Sequence, residues 1–210
     1  MSWRSGNLIA RGASGCSGRE FVVGKVWWEA SRDSAGLAPD PEVVHEAVVQ
    51  VYAARAFSWR GAFGVHTWIS VKPTGARHFT VYHVVGWRLY RGGDAVVIER
   101  DIPDRHWYDA VPEVLADIRG SGVDLVIDKI DTAARSYPHG DRYTVWPGPN
   151  SNTFVAWIAR RVPDLKLDLP PTAIGKDWLG PDGPVAPTPS GTGYQLSLFG
   201  LVGVLVGREE

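Results

Sequence analysis

The sequence is poor in cysteine and carries no surplus of charge of either sign. Cys16 is the single cysteine among 210 residues, so neither an internal disulfide framework nor a thiolate zinc site can form. The 22 basic and 23 acidic side chains leave a net charge of -1, which gives no electrostatic footprint for nucleic acid or for an anionic membrane. We therefore expect no nucleic-acid partner.

Long apolar runs are also missing. The first 28 residues contain no continuous apolar segment of the kind found in a secretory signal. The most apolar stretch, "LSLFGLVGVLVG" at 196–207, is interrupted by three glycines and is too short for a transmembrane helix, so it predicts a β-hairpin. On these grounds we expect a cytoplasmic protein, and the residues themselves do not support membrane association.

Tryptophan, in contrast, is abundant. The chain has ten tryptophans, seven tyrosines and six phenylalanines, and 44% of its residues are hydrophobic. Large aromatic side chains fill cores and line pockets, so this composition favours a well-packed globule over a dedicated aromatic binding platform. We expect an irregular Gly/Ser/Arg-rich lead-in over 1–38 and a single domain over 39–210, with a Pro-rich loop at 163–193 and a C-terminal hairpin.

Hydrophobic periodicity predicts an α+β fold, in which an antiparallel sheet packs against helices. Strands are expected at 48–55 and within "GAFGVHTWISV", "HFTVYHVVGW", "AVVIER" and "RYTVW". Helices are expected at 111–120, at 123–137, where apolar residues recur with spacings of three and four, and from Ser151 to Val162.

Ser151 stands at the start of the last predicted helix, in "WPGPNSNTFVAWI". On a helical wheel it falls on the same side as Val155, Ile158 and Val162, which turns it toward the predicted sheet. The unpaired N–H groups of a helix N-terminus stabilise an anion beside them. A serine hydroxyl also needs a positioned base before it can act as a nucleophile.

His66 and His83 are the candidates for that base and its orienting partner. Strand alternation places His66 and Trp68 on one face, and a turn centred at Thr74–Gly75 places His83 opposite His66 on the next strand. This arrangement follows the logic of a catalytic triad. A second interpretation stays open, in which Asn150–Thr153 only caps the helix and the histidines are packed core residues.

A metal site is the least supported alternative. His66, His83 and a carboxylate could in principle supply ligands, but the sequence has no two-histidine helical motif and no cysteine pair. We expect no metal and no other cofactor.

Six segments of the chain, which together span about residues 34–210, carry a family resemblance. They are "SAGLAPDPE", "VVQVYAARAFSWRGAFGVHTWISVKP", "VYHVVGWR", "WPGPNSNTF", "LPPTAIGKDWL" and "GYQLSLFGLVGVLVGREE". They resemble the bacterial domain-of-unknown-function family 3750, and the resemblance implies no activity. Members of that family often carry an N-terminal membrane-anchoring segment, which residues 1–26 do not match; association with the cell envelope is thus implied by the family alone.

The order of the motifs also resembles the circularly permuted papain-like superfamily, which includes NlpC-type peptidases, lecithin retinol acyltransferase-like proteins and PPPDE peptidases. His66-Thr67 stands where PPPDE members carry a His-Thr-Gly strand, and Asn150–Phe154 stands where they carry Asn-Cys-Asn-Thr-Phe at a helix start. The resemblance implies a permuted papain-like architecture with Ser151 at the nucleophile position, His66 as base and His83 as orienting residue. The residues that flank these positions, Asn150, Asn152 and Trp68, are the candidate ligand-binding residues.

Serine at position 151 departs from the cysteine of that superfamily. A thiol at a helix start is partly ionised near pH 7, whereas a hydroxyl is not. Two functions therefore stay open. One is a non-catalytic or degenerate member that binds a small molecule or a peptide, and the other is a serine-dependent hydrolase or acyltransferase that acts on an amide, a peptide or a lipid ester.

Overall fold

Two antiparallel sheets and two α-helices make up the computed structural model, which describes residues 28–180, 183–198, 200 and 202–208. Cys16 and most of the lead-in expected over 1–38 lie outside the described residues. The elements are β1 (Val48–Arg55), β2 (Val65–Lys72), β3 (Thr80–Val84), β4 (Val96–Arg100), β5 (Glu113–Arg119), α1 (Val123–Arg135), α2 (Ser151–Arg161), β6 (Val185–Pro187), β7 (Tyr194–Leu198) and β8 (Val202–Val206), with 3-10 helices at Ser58–Ala62, Gly86–Arg91 and Pro163–Leu165.

The first five strands form the central sheet in the order β4-β3-β2-β1-β5. Strands β1 to β4 are antiparallel neighbours in chain order, so the expected meander and the α+β class are confirmed. β1 has a partner on each side, and its residues are buried up to its last position, Arg55. An almost uninterrupted apolar run suits a strand that is covered on both faces.

The expectation of a helix at 111–120 is wrong, because this segment contains β5, which pairs with the free edge of β1. Without β5, the buried N–H and C=O groups along that edge of β1 would lack partners, so pairing across the sheet outweighs the local pattern. The expected strand "RYTVW" is also wrong. Residues 142–146 form an irregular loop, in which the Thr144 N–H donates to the Pro149 carbonyl at 2.7 Å.

The two faces of the central sheet are covered differently. On one face, α1 and α2 pack against apolar strand residues such as Ile69, Val71 and Tyr82. The helix expected at 123–137 is confirmed as α1, and its buried residues repeat the predicted spacing of three and four. These residues are Val123, Val126, Ile127, Ile130, Ala133 and Ala134.

The opposite face carries a smaller cluster of Tyr52, Trp68 and Val81. It is covered by the connection between β4 and β5, which packs Trp107 against the cluster. The indole N–H of Trp68 holds this connection in place by donating to the Pro103 carbonyl at 2.7 Å. Since side chains alternate along β2, His66 lies on this face together with Trp68.

Strands β7 and β8 form an antiparallel pair near the C-terminus, and the Pro-rich segment 163–193 contributes β6 as a third strand of the second sheet. Burial alternates along β7, where Gln195 and Ser197 are buried and Tyr194, Leu196 and Leu198 are exposed. In the part of the chain that the structure describes, no helix has both the length and the apolar character needed to cross a bilayer.

Candidate functional site

Asn150, and not Ser151, caps helix α2. The backbone of Asn150 is extended, and its side-chain oxygen accepts hydrogen bonds from the N–H groups of Asn152 (2.9 Å) and Thr153 (3.1 Å). The Thr153 hydroxyl in turn accepts from the Asn150 N–H at 3.2 Å, which completes a capping box. Ser151 is therefore the first helical residue, and the cap does not need its hydroxyl.

The start of α2 is attached to the first residues of β2. The Asn152 amide donates to the carbonyls of Val65 (3.0 Å) and Ile174 (2.8 Å), and its oxygen accepts from the Thr67 hydroxyl at 3.0 Å. The Thr67 hydroxyl also lies 3.5 Å from the backbone oxygen of Ser151. The helix start thus lies against the strand segment that contains His66.

Ser151 is buried, with 3% of its surface exposed, in line with the helical wheel. None of the hydrogen bonds formed among the described residues uses its hydroxyl, although its backbone oxygen accepts from Thr67. No hydrogen bond among these residues joins Ser151 to His66. The helix start contacts the face of β2 that carries Thr67 and Ile69, whereas His66 lies on the opposite face with Trp68, so the structure does not bring the two side chains together.

His66 is enclosed by aromatic rings. Its ring stacks on Trp107 with centroids 3.6 Å apart and planes 7° apart, and it lies 5.8 Å from the Trp68 ring. Its Nε2 atom is buried and finds no hydrogen-bond partner in the described residues. Burial lowers the pKa of His66 well below its usual value, and the neighbouring His83 lowers it further. The imidazole is consequently neutral at pH 7.

His83 lies on the same sheet face as His66, as predicted, with ring centroids 6.0 Å apart. The predicted register is wrong by two residues. Ile69 pairs with Tyr82, so position 68 lies across from His83. The reason is the turn between β2 and β3: the pairing of Val71 with Thr80 centres it between Gly75 and Ala76, one residue later than expected. Burial, followed by Arg105 and then Arg88, lowers the pKa of His83 to about 4.

The three candidate ligand-binding residues are engaged within the protein. The Asn150 amide donates to the carbonyls of Val145 (3.0 Å) and Ile174 (3.1 Å), so the side chains of Asn150 and Asn152 both hold loops against the helix start. Trp68 is 2% exposed and stacks on Tyr52 at 5.4 Å. These contacts give all three residues a structural role.

A cleft of about 490 Å³ opens beside His83, on the sheet face that carries His66. Trp87, Trp107 and Tyr108 form its aromatic walls, and four arginines reach it. Its floor comes from β3 and β4, where His83 pairs with Val97. Sequence reasoning missed Trp107, for which the aromatic run His106-Trp107-Tyr108 was the available signal.

Metal ligands do not gather at this site. Within the described residues, no group of three or more histidine, cysteine, aspartate or glutamate side chains is arranged to hold a metal ion. A second cleft of about 560 Å³ lies along α2 toward the second sheet, and it contains none of the predicted site residues.

Comparison with known protein families gives a match. The sequence model of a protein family described as "Protein of unknown function (DUF3750)" matches residues 46–178, a range that includes every predicted site residue. No curated protein and no solved structure matches the chain.

Proposed function

Because the chain belongs to the DUF3750 family, whose description names no activity, we propose a function from the site geometry. The protein binds a small molecule or a peptide in the cleft beside His83 and Trp107, and Ser151 occupies the position of a nucleophile without acting as one. One observation carries the proposal. The open cleft lies against His83 and the aromatic walls, whereas the Ser151 hydroxyl belongs neither to the cleft lining nor to a hydrogen bond with His66.

The environment of His66 supports the non-catalytic role. A serine becomes a nucleophile only when a base accepts its proton directly or through one water. The His66 ring stacks in parallel on the Trp107 ring. Burial also disfavours the charged imidazolium that such a proton transfer would form. Among the described residues no carboxylate hydrogen-bonds either histidine, so nothing stabilises that charge.

A permuted papain-like architecture is part of the same proposal. Three features support it: a strand that carries His66-Thr67, a neighbouring strand that carries His83 on the same face, and a later helix whose start is bound to Thr67. In this architecture Ser151 would occupy a former catalytic position that now has a structural role only, while the cleft on the other face of the sheet binds the ligand.

One observation favours a second function, that of a serine-dependent hydrolase or acyltransferase. The buried Nε2 of His66 has no partner among the described residues, and a free ring nitrogen is what a general base requires. In this function the side chains of His66 and Ser151, which the structure places on opposite faces of β2, would first have to come together. His66 would then take the Ser151 proton while the hydroxyl oxygen attacks the carbonyl carbon of an amide or ester. The N–H groups at the start of α2 would stabilise the resulting oxyanion.

The binding function is tested with naphthalene-sized probes, which match a cleft of this volume. We expect 2-naphthoate, 2-naphthyl phosphate or 2-naphthamide to bind the wild-type protein in isothermal titration calorimetry. Trp87→Ala removes an exposed cleft wall and should weaken that binding about tenfold, because a ring stacking contact is lost.

Trp59→Ala is the matched control, because Trp59 is even more exposed than Trp87 and does not line the cleft. It should leave the affinity unchanged. Failure of all three probes to bind at millimolar concentration, or equal affinities in Trp87→Ala and wild type, would contradict the binding function.

A further inference from the structure

We propose that the ligand of this cleft carries an anionic group, a carboxylate or a phosphate, which Arg88 and Arg91 bind while Trp87 packs against a planar or apolar part of the same ligand. The inference rests on the proposed function, because it names the class of ligand for the same cleft.

The cleft is positively charged in a chain that is nearly neutral. Four arginines reach it, against two acidic residues, Glu99 and Asp101, while the whole chain has a net charge of -1. Asp101 is neutralised by an ion pair with Arg105. Positive charge concentrated in a concave site attracts anions and raises their local concentration.

Two of the four arginines are already engaged. Arg105 pairs with Asp101, and the Arg32 guanidinium lies over the Tyr108 ring, 4.7 Å from its centroid. Arg88 and Arg91, in contrast, form no ion pair and no side-chain hydrogen bond with any residue that the structure describes. Their guanidinium groups therefore remain available for a ligand.

The 3-10 helix that contains Arg88 and Arg91 places both side chains at the cleft. Arg88 and Arg91 belong to the 3-10 helix Gly86–Arg91, and in a 3-10 helix residues three apart lie on the same side. Gly92 ends this helix with a positive φ of 72°, and its N–H donates to the carbonyls of Arg88 and Leu89. The pair presents two planar groups of N–H donors, which suit the oxygens of a carboxylate or phosphate.

The aromatic walls of the cleft indicate that the ligand also has an apolar or planar part. Trp87 follows directly on Gly86 in the same 3-10 helix, is 44% exposed, and stacks on Trp107 with centroids 5.9 Å apart. It lines the same cleft as Arg88 and Arg91. A ligand with an anionic head and a ring or a short apolar chain uses both surfaces at once, whereas a neutral ligand uses only the aromatic one.

The experiment compares charged and neutral ligands of the same shape. Calorimetric titration of the wild-type protein should show that 2-naphthoate or 2-naphthyl phosphate binds at least about tenfold more tightly than 2-naphthamide, because charge-assisted hydrogen bonds add to stacking. The two anions distinguish a carboxylate ligand from a phosphate ligand. Raising the salt concentration from about 50 to about 500 mM should weaken binding of the anions and leave binding of the amide unchanged.

The variant Arg88→Gln/Arg91→Gln should remove the preference for the anions and leave the affinity for 2-naphthamide within about twofold. The control Arg77→Gln/Arg142→Gln changes the net charge equally at positions outside the cleft, and it should keep the preference. Equal affinities of the anions and the amide in wild type, or a preference that survives in Arg88→Gln/Arg91→Gln, would overturn the anionic ligand but leave the binding function standing. Absence of binding by all three probes would count against both.

Discussion

At the scale of single residues, Trp107 determines what His66 can do. Alternation along β2 predicts the face of His66 correctly, and the same rule places His83 on that face. The ring that covers His66 comes from an irregular connection, where no periodicity links position 107 to position 66. A sequence pattern can therefore identify the histidine but cannot show that its ring is covered.

Burial of His66 leads to a prediction about pH. The pKa of His66 is lowered in the folded protein, whereas an unfolded chain has a histidine pKa of about 6.5. Below that pH the unfolded state binds a proton that the native state does not bind, so the free energy of unfolding decreases as pH falls. His66→Gln should reduce this dependence by up to about 1.4 kcal/mol per pH unit between about pH 6.5 and 5.

Urea unfolding at several pH values measures this difference in slope. His83, whose pKa is lowered to about 4, contributes with the same sign and is present in both proteins, so it cancels in the comparison. His78→Gln is the control, because His78 is exposed on the connection between β2 and β3, and it should follow the wild-type curve. Parallel curves for wild type and His66→Gln would show that His66 is protonated in the folded protein.

At the scale of elements, the start of α2 divides its polar residues between two roles. The sequence "NSNT" is compatible both with a cap and with a nucleophile at a helix start. The structure assigns the cap to Asn150 and Thr153 and the attachment to β2 to Asn152. These assignments depend on partners at Val65 and Ile174, which lie far from the helix start in the sequence, so a local pattern cannot make them.

This division predicts different stabilities for two neighbouring variants. Asn150→Ala removes two cap hydrogen bonds and leaves the carbonyls of Val145 and Ile174 without this donor, which should cost about 2–3 kcal/mol of unfolding free energy. Ser151→Ala should cost less than about 0.5 kcal/mol, because the hydroxyl joins no hydrogen bond among the described residues. Urea denaturation measures both, and equal losses would contradict the assignment of the cap.

The two wrong element predictions have a common cause. Segment 111–120 and segment 142–146 both contain apolar residues whose local pattern is ambiguous. β5 is a strand because the edge of β1 needs a partner, and 142–146 is a loop because it leads into the cap of α2. Helix α1 was predictable, because its long and regular apolar stripe identifies a helix without any information on partner strands.

At the scale of the whole molecule, one face of the central sheet carries the main hydrophobic core and the other carries the cleft. The helices cover one face and form the larger core, whereas the other face has the connection between β4 and β5 and the cleft. The α+β class follows from periodicity, and so does the C-terminal hairpin. The cleft does not, because it is formed by side chains from a 3-10 helix, two strands and a loop that only the folded chain brings together.

In the proposed function the protein binds a ligand in this cleft and Ser151 is not a nucleophile. Incubation with a fluorophosphonate, followed by mass spectrometry of the peptide that contains Ser151, tests the role of this serine, with an active serine hydrolase in the same reaction as positive control. We expect an adduct on the control enzyme and none on Ser151. An adduct on Ser151 of the wild-type protein that is absent from His66→Gln would show a working Ser-His pair and contradict the non-catalytic role of Ser151.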